Sequence, residues 1–568
     1  MQLTRVHIEN FRGIKDLSLD LDDMIVLIGE NNTGKTAVLE AIHLCLGKLG
    51  PRRRIIFDAL DFHLKDADAE PSTADPIAIT LTFSEKEVGD WGEDRPRRLK
   101  SILNVDATTQ LSRVVLRVTC SFDADECDFK QNWDFLNEAG EAIPGRSEAD
   151  LRQLQQEVAF YMLKALRDAG RNFDAKGRFW RPFLRDSRLP AAQKAEIETK
   201  LKEVNELVVS SHESFEKACE RLRIVQNVVP MAANVVSIEA VPGRIFDMLA
   251  KAQVHLATTT GAQVPVGRHG EGTQSLAVLM LFAAFLDLDA GAAGRNRVPI
   301  VALEEPEAHL HPSAIRTLWT TIEDIPGQKL ISTHSGDLLS QVPMEAVRRL
   351  SRGADGYVEA FRIEPETLDD KSRRMFDFHI RHARGELLFA RCWLLGEGET
   401  EVTLFLEIAR HLSIDLERAG VRCVPYRLGA SIELFLKVAR DLGIRCCALT
   451  DNDQQGQKDQ KHVKDYAETA ALQDVLHVMP EKDIEAHLCA NGLGPVYEGF
   501  LTPRLQGRVT VARGDPDYWP QVLKAIKGVR GYKPAAALEV LEKIQAGAPV
   551  PPLLERVIRK AVELAGGA

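Results

Sequence analysis

The stretch Met24-Ile25-Val26-Leu27-Ile28-Gly29-Glu30-Asn31-Asn32-Thr33-Gly34-Lys35-Thr36 decides the fold of this 568-residue chain. Its first five residues are a continuous apolar run, the pattern of a short strand buried on both faces. Gly29 to Thr36 then fits G-x-x-x-x-G-K-[ST], and Ala37-Val38-Leu39-Glu40-Ala41-Ile42 continues with good helix formers. In that context the loop Gly29, Asn31, Asn32, Thr33 and Gly34 cradles phosphate with its backbone N–H groups. Lys35 reaches the β and γ oxygens, and Thr36 holds Mg2+. A glycine turn before an ordinary helix would not require all four defining positions. The expectation is a P-loop NTPase whose nucleotide carries one Mg2+.

The length exceeds one hydrophobic core, so two to four domains are expected. A composition 45% hydrophobic and 27% charged is that of a soluble globular protein. Met1 leads straight into the alternating residues Leu3–Ile8, with no signal peptide. The longest apolar run, Leu276–Leu288, is broken by Asp287 and reads as a buried helix, so no membrane is expected. Nine cysteines at scattered spacings, without a C-x-x-C pair, point to a reduced, cytoplasmic protein without zinc. The net charge of −11 argues against uniform coating of nucleic acid and leaves local basic patches open.

Leu3–Glu9 reads as a strand and Leu17–Leu21 as its hairpin partner, joined through Asn10-Phe11-Arg12-Gly13. This segment just before a P-loop resembles the start of the ABC-type ATPases of the SMC and RecF group. That resemblance makes Arg12 a candidate for the nucleotide phosphates; by itself it reads equally as a surface arginine. Arg52-Arg53-Arg54 could meet phosphate or lie solvated. Residues 77–83 and 113–122 alternate as antiparallel strands, with Arg95, Arg97 and Arg98 in a polar loop between them. From about Ala149 a helical period runs through Leu151, Leu154, Val158, Met162, Leu163 and Leu166. Further helices are expected over Ala191–Val209 and near Phe215–Val225. Residues 150–240 therefore read as a helical insertion, either an internal bundle or a dimer seam.

Gly267–Ser275 is a glycine-rich turn opening the apolar helix. By the ABC resemblance Ser275 stands where the signature segment offers N–H groups and a serine to a partner's nucleotide; alone, it reads as a helix cap. Val298–Leu303 is an apolar strand ending in Glu304-Glu305, the Walker B arrangement. Glu304 would serve the Mg2+ shell and Glu305 would orient or deprotonate water. Lys329–Ser335 is one more strand, delivering His334 to the γ-phosphate.

Beyond a charged, irregular connector (353–385), Cys392-Trp393-Leu394-Leu395 runs into Gly396-Glu397-Gly398-Glu399-Thr400-Glu401. Cys446-Cys447-Ala448-Leu449-Thr450 runs into Asp451-Asn452-Asp453. Each is an apolar strand delivering carboxylates at its C-terminal end, where open α/β sheets place their sites. Alternation would point Asp451 and Asp453 the same way, and gathered carboxylate oxygens suit Mg2+ or Mn2+. The pair of motifs resembles the Toprim domain of topoisomerases, bacterial primases and a class of nucleases.

An ABC-type ATPase followed by Toprim resembles the OLD (overcoming lysogenization defect) nucleases, the group that includes the nuclease subunit of Gabija anti-phage systems. The implied fold is α/β. Its parts are ATPase residues 1–149 and 241–352 around the insertion 150–240, the connector 353–385, and a Toprim nuclease domain over 386–568. The implied metal ligands are Glu397, Glu401, Asp451, Asp453 and Glu485 around two ions, with Lys533 on the scissile phosphate. The implied activity is ATP-regulated, metal-dependent DNA cleavage on double-stranded DNA by a homo-oligomer, with a possible helicase partner encoded nearby. From Leu501 to Ala568, eleven Lys and Arg against six Asp and Glu give a basic end that suits a polyanion. The rivals are a RecF-like DNA-binding ATPase with a non-cleaving Toprim scaffold, and a topoisomerase-like strand transferase, for which no further DNA-binding domain is visible.

Overall fold

The apolar run ahead of the P-loop is a strand, and the layers are arranged about it. The computed structural model describes residues 1–50, 55–66, 68–123, 125–126, 128–164, 190–211, 241, 255–257, 262–292, 298–353, 356–382, 385–428, 430–467 and 472–566. Strands β1 (Gln2–Phe11) and β2 (Ile14–Asp20) form the expected antiparallel hairpin, followed by β3 (Met24–Gly29). The strands β4 (Ile77–Ser84), β5 (Asn104–Val105), β6 (Ser112–Asp123) and β7 (Asp128–Phe135) join that hairpin. The first sheet has the order β2-β1-β4-β6-β5, with β7 also on β6. Alternate residues of β6 are buried, as expected where one face of an antiparallel sheet meets the core.

The second sheet adds β8 (Val158–Leu163), β11 (Val298–Glu304), β12 (Gln328–Ser332), β13 (Val347–Arg352) and β14 (Val358–Phe361) to β3. A small ladder of β9 (His255–Ala257) and β10 (Gln263–Pro265) lies between β8 and β11 in sequence. The order β14-β13-β3-β12-β11-β8 is parallel apart from the β13–β14 edge, and sets β3 inside. The third sheet is wholly parallel. It comprises β15 (Cys392–Gly396), β16 (Val421–Pro425), β17 (Arg445–Thr450) and β18 (Leu476–Val478), in the order β16-β15-β17-β18. The architecture is thus α/β: an ABC-type P-loop ATPase with an antiparallel side sheet, followed by a Toprim sheet.

Three expectations are corrected. Residues 158–163 are not helical. The helix Glu148–Glu157 ends there, and β8 pairs with β11 at the sheet edge. Val158, Phe160, Tyr161 and Leu163 are buried on both faces, so a short apolar run rich in β-formers overrides the helical period. Arg95 and Arg98, in the short helix Asp94–Arg98 rather than a loop, close on the buried Glu157 and fix this corner. The stretch 353–385 is likewise more than a connector. β14 extends the ATPase sheet, and the helix Asp370–His382 buries Phe376 against Trp393 and Phe435 of the Toprim layer. One apolar cluster consequently runs from Val26 and Leu303 to Trp393 and Phe435, joining the two parallel sheets. The helix expected over Ala191–Val209 is present as Ala191–Ser210. The helix expected near Phe215–Val225, and Arg52-Arg53-Arg54, lie outside the described residues. Among the described residues no helix is long and apolar enough to cross a membrane.

Candidate functional site

The first site forms where β3 turns into the helix Lys35–His43. Gly29 (φ 144°) and Gly34 (φ 94°) take backbone angles that side chains disfavour, and a Cβ on Gly29 would lie 2.2 Å from the Leu350 carbonyl. Asn31 and Asn32 are exposed, and Thr33 Oγ1 donates to the Glu30 carbonyl at 2.9 Å. Lys35 Nζ is folded back on the Gly29 and Glu30 carbonyls at 2.8 and 2.6 Å, and burial lowers its pKa to about 8. Phosphate oxygens would compete with those carbonyls for the ammonium. Thr36 Oγ1 donates to Glu304 Oε1 at 2.6 Å. The motif threonine and the Walker B acid thus sit together where a nucleotide's Mg2+ would need oxygen ligands.

Glu305 takes a left-handed backbone (φ 44°), with its N–H bonded to the Ser332 carbonyl at 2.9 Å. That turn sets its carboxylate 3.7 Å from His334 Nε2. Burial, and then the charge of Lys35, lower the His334 pKa, favouring a neutral ring. Glu307, absent from the expected set, accepts from Thr333 Oγ1 at 2.5 Å and the His334 N–H at 3.2 Å, fixing the loop on which His334 stands. Arg12 is held by Asp61 (2.8 Å), so its guanidinium is engaged by a carboxylate of the short helical turn Ala59–Asp61. Ser275 differs from expectation: the helix begins at Glu271, and Ser275 lies buried inside it rather than at its exposed start. Lys35→Ala should remove a charge-assisted contact of about 1.5–3 kcal/mol and weaken ATP binding roughly 10- to 150-fold. Titration of labelled nucleotide checks this, and an unchanged affinity would contradict it.

The second site lies at the C-terminal ends of β15 and β17, neighbours in the parallel sheet. β15 delivers Glu397, and β17 delivers Asp451. Glu401, in the first turn of the helix Glu399–His411, reaches back to the Gly398 N–H at 2.9 Å. Glu485 stands in the short helix Ile484–Leu488, which Asp483 caps. It is buried and pairs with the more exposed Lys533 at 2.6 Å. Asp453 does not extend the strand beside Asp451. It caps the helix Gln454–Tyr466, its Oδ1 accepting from the Gln455 and Gly456 N–H groups at 2.9 and 2.7 Å.

Three polar residues that the motifs did not reveal bear on this site. Arg427, just after β16, pairs with Glu397 through Nη1 and with Asp459 through Nη2 at 2.8 Å. Tyr426 also donates to Asp459, at 3.1 Å. The only sequence signal was the position of Tyr426-Arg427 at the end of a parallel strand.

Burial and then the charge of Glu397 push the Asp451 carboxyl up to about 9; burial likewise raises Glu397 and Glu401. No N–H or O–H of another residue reaches the buried atoms Asp451 Oδ1 and Glu397 Oε2; the two carboxyl groups instead hydrogen-bond to each other, which raises Asp451 further. Crowded, dehydrated carboxylates of this kind fit a hard divalent cation. Their oxygens are not drawn into a trio within 4.8 Å; among the described residues only His7, Glu9 and Asp16, on the β1–β2 hairpin, meet that spacing.

The raised Asp451 pKa carries a stability consequence. The native carboxyl keeps a proton that the unfolded chain, at the ordinary 3.8, has released. Stability is therefore lost as pH rises toward about 9 and this contribution levels off above it. In EDTA, the melting temperature of wild type relative to Asp451→Asn should fall as the pH is raised from neutral toward that value. Parallel melting curves for the two proteins would contradict the burial assigned to Asp451.

Comparisons with known proteins match both halves of the chain. The family described as "Protein of unknown function (DUF2813)" matches residues 1–386. The "Overcoming lysogenization defect protein-like, TOPRIM domain" matches residues 388–453. The "Uncharacterized protein YbjD" of Escherichia coli is 29% identical, over 100% of both chains. The "OLD nuclease" of Thermus scotoductus is 25% identical, covering 94% of this chain and 97% of its own. The "Endonuclease GajA" of Bacillus cereus is 22% identical, over 82% of this chain and 77% of its own. The chain belongs to the family described as DUF2813, and its residues 388–453 match an OLD-like TOPRIM domain.

Proposed function

We propose that this chain is an ATP-binding, ATP-regulated DNA endonuclease that depends on divalent metal and acts in anti-phage defence. The observation that carries this reading is the pair of buried Asp451 and half-buried Glu397 at the ends of adjacent parallel strands, where Asp451 Oδ1 and Glu397 Oε2 receive no N–H or O–H from other residues. The relatives named "OLD nuclease" and "Endonuclease GajA" support it. Glu397, Glu401, Asp451, Asp453 and Glu485 would hold two Mg2+ or Mn2+ ions. Bound there, such ions supply an activated water and offset charge on the leaving oxygen. Glu401 and Glu485 flank the Glu397–Asp451 pair, while Lys533, anchored by Glu485 and partly exposed, can donate to the scissile phosphate. Glu397 must exchange the Arg427 guanidinium for the ion, and Asp453 has its Oδ2 to offer. The basic segment from Leu501 would follow the backbone of double-stranded DNA.

The proposal extends to a homo-oligomer and to a helicase partner encoded nearby, as in the Gabija resemblance. ATP would bridge two copies, and γ-phosphate contacts of Glu305 and His334 would distinguish ATP from ADP.

The engagement of Glu397 by Arg427 favours the alternative, a RecF-like DNA-binding ATPase whose Toprim domain is a scaffold. Supercoiled plasmid separates the two readings. The nuclease should convert it to nicked or linear DNA in Mg2+ or Mn2+ and not in EDTA, leaving no protein–DNA adduct after denaturation. Intact plasmid in every metal would support the scaffold, and a covalent adduct would indicate strand transfer.

A further inference from the structure

A second cavity lies beside the P-loop. It has a volume of about 480 Å3 and is bounded by Glu30–Thr33, the end of β13, the starts of β15 and β17, and the chain around Leu564. Asn31, Asn32 and Thr33 of the P-loop line it, whereas Lys35, Thr36 and Glu304 do not, so it borders the expected phosphate cradle without taking in the motif lysine or the Mg2+ groups. Its volume is that of a pocket for a nucleotide-sized molecule.

Four arginines line it, Arg349, Arg352, Arg391 and Arg445, against the single carboxylate of Glu30. Arg391 pairs with Glu30 through both nitrogens of its fork, one of them at 2.6 Å. The bonds found for the other three go to carbonyl oxygens. Arg349 donates to Leu442 and Ala390 at 2.9 and 3.0 Å, Arg352 to Asn32 at 3.1 Å, and Arg445 to Leu564 at 3.0 Å. Carbonyls satisfy the N–H groups but carry no net charge. Arg349 is only 4% exposed, and its Nε is buried without a partner. Burial, reinforced against Glu30 by the nearby charge of Arg391, lowers its pKa to about 10, so it remains a cation at neutral pH.

Converging guanidinium groups repel one another unless an anion lies among them, and their planar forks match phosphate oxygens in pairs. We propose that this seam is a second anion site, which takes a small oligophosphate such as a nucleoside polyphosphate or inorganic tripolyphosphate. Phosphate oxygens there would compete with Glu30 for Arg391. Glu30 belongs to the P-loop and also receives Lys35 on its carbonyl. Arg391 immediately precedes β15, whose far end delivers Glu397. The ligand would sit between the two chemistries and touch the frame of each.

The test is equilibrium binding of inorganic tripolyphosphate to the full chain in EDTA, which removes metal-mediated binding at both other sites. A Lys35→Ala background removes most of the P-loop contribution. The expected result is one tripolyphosphate per chain in that background, displaced by ATP and not by adenosine. Adding Arg445→Ala should weaken it at least about tenfold, the loss of one charge-assisted partner. Arg391→Ala serves as a second variant, and cooperative melting of each protein establishes that it folds. Displacement by ATP at lower concentration than by tripolyphosphate identifies a nucleotide ligand; the reverse order identifies an inorganic one. No binding in the Lys35→Ala background would overturn the proposal, as would binding that neither arginine variant weakens. Binding of a short single-stranded oligonucleotide with the same Arg445 dependence, where tripolyphosphate fails to bind, would also overturn it. None of these readouts depends on nuclease activity.

Discussion

Asp451→Ala and Glu397→Ala are each expected to lower DNA nicking by at least about a hundredfold while leaving ATP affinity within about twofold; even partners of metal ligands typically cost 10- to 100-fold. Both side chains sit at the Toprim strand ends, and the P-loop contacts run through Lys35 and Thr36 in the helix Lys35–His43 and Glu304 at the end of β11. Stability should move the opposite way to activity for Asp451. Burial and the Glu397 charge oppose its ionisation, so Asp451→Ala relieves a repulsion in the metal-free protein and should raise its melting temperature at mildly alkaline pH. Glu397→Ala is less simple, because it also leaves Arg427 with Asp459 as its remaining carboxylate partner. Plasmid nicking, nucleotide titration and thermal melting together check the set. Parental nicking by either variant would remove that residue from the ligand set.

Glu305→Gln is expected to slow ATP hydrolysis by about 10²- to 10⁴-fold, the range for loss of a general base, without a matching loss of ATP binding. Glutamine keeps the size of the side chain but cannot accept a proton from water. The left-handed backbone at Glu305 and its N–H bond to Ser332 do not depend on that charge, so the turn should persist. A nucleotide can shift the nuclease only through contacts that differ between two arrangements. ATP but not ADP should therefore change the nicking rate, and Glu305→Gln should prolong the effect. Free Mg2+ must be held constant, because nucleotides chelate it. Unchanged ATP turnover in the variant would assign Glu305 a structural part, and equal nicking with ATP, ADP and no nucleotide would remove the coupling.

Both candidate sites were legible because each is local: an apolar strand and the turn or first helical residues that follow it, contiguous in sequence. Gly29 to Thr36, Glu304-Glu305, Glu397 to Glu401 and Asp451 all have that form. What escaped depends on partners distant in sequence. β8 is a strand because β11 offers it an edge, and the run Val158–Leu163 by itself fits either period. The helix Asp370–His382 looked like charged linker because most of its residues are polar; Phe376 and Ile380, one turn apart, carry its buried face. Asp453 was misjudged because extended alternation stops at Thr450, where a helix cap takes over. Arg427 and Asp459 share no motif with the acids they serve, and only folding brings them to Glu397. Ser275 was read as the start of a helix that begins four residues earlier.

Cleavage carried out in 18O-labelled water tests the central claim most directly. If the carboxylates gathered at Glu397 and Asp451 organise metal-assisted hydrolysis, each strand cut in Mg2+ or Mn2+ should place one labelled oxygen on the new terminal phosphate, as read by mass spectrometry of the released ends. Cut ends free of label, or an uncut plasmid across both metals, would contradict it.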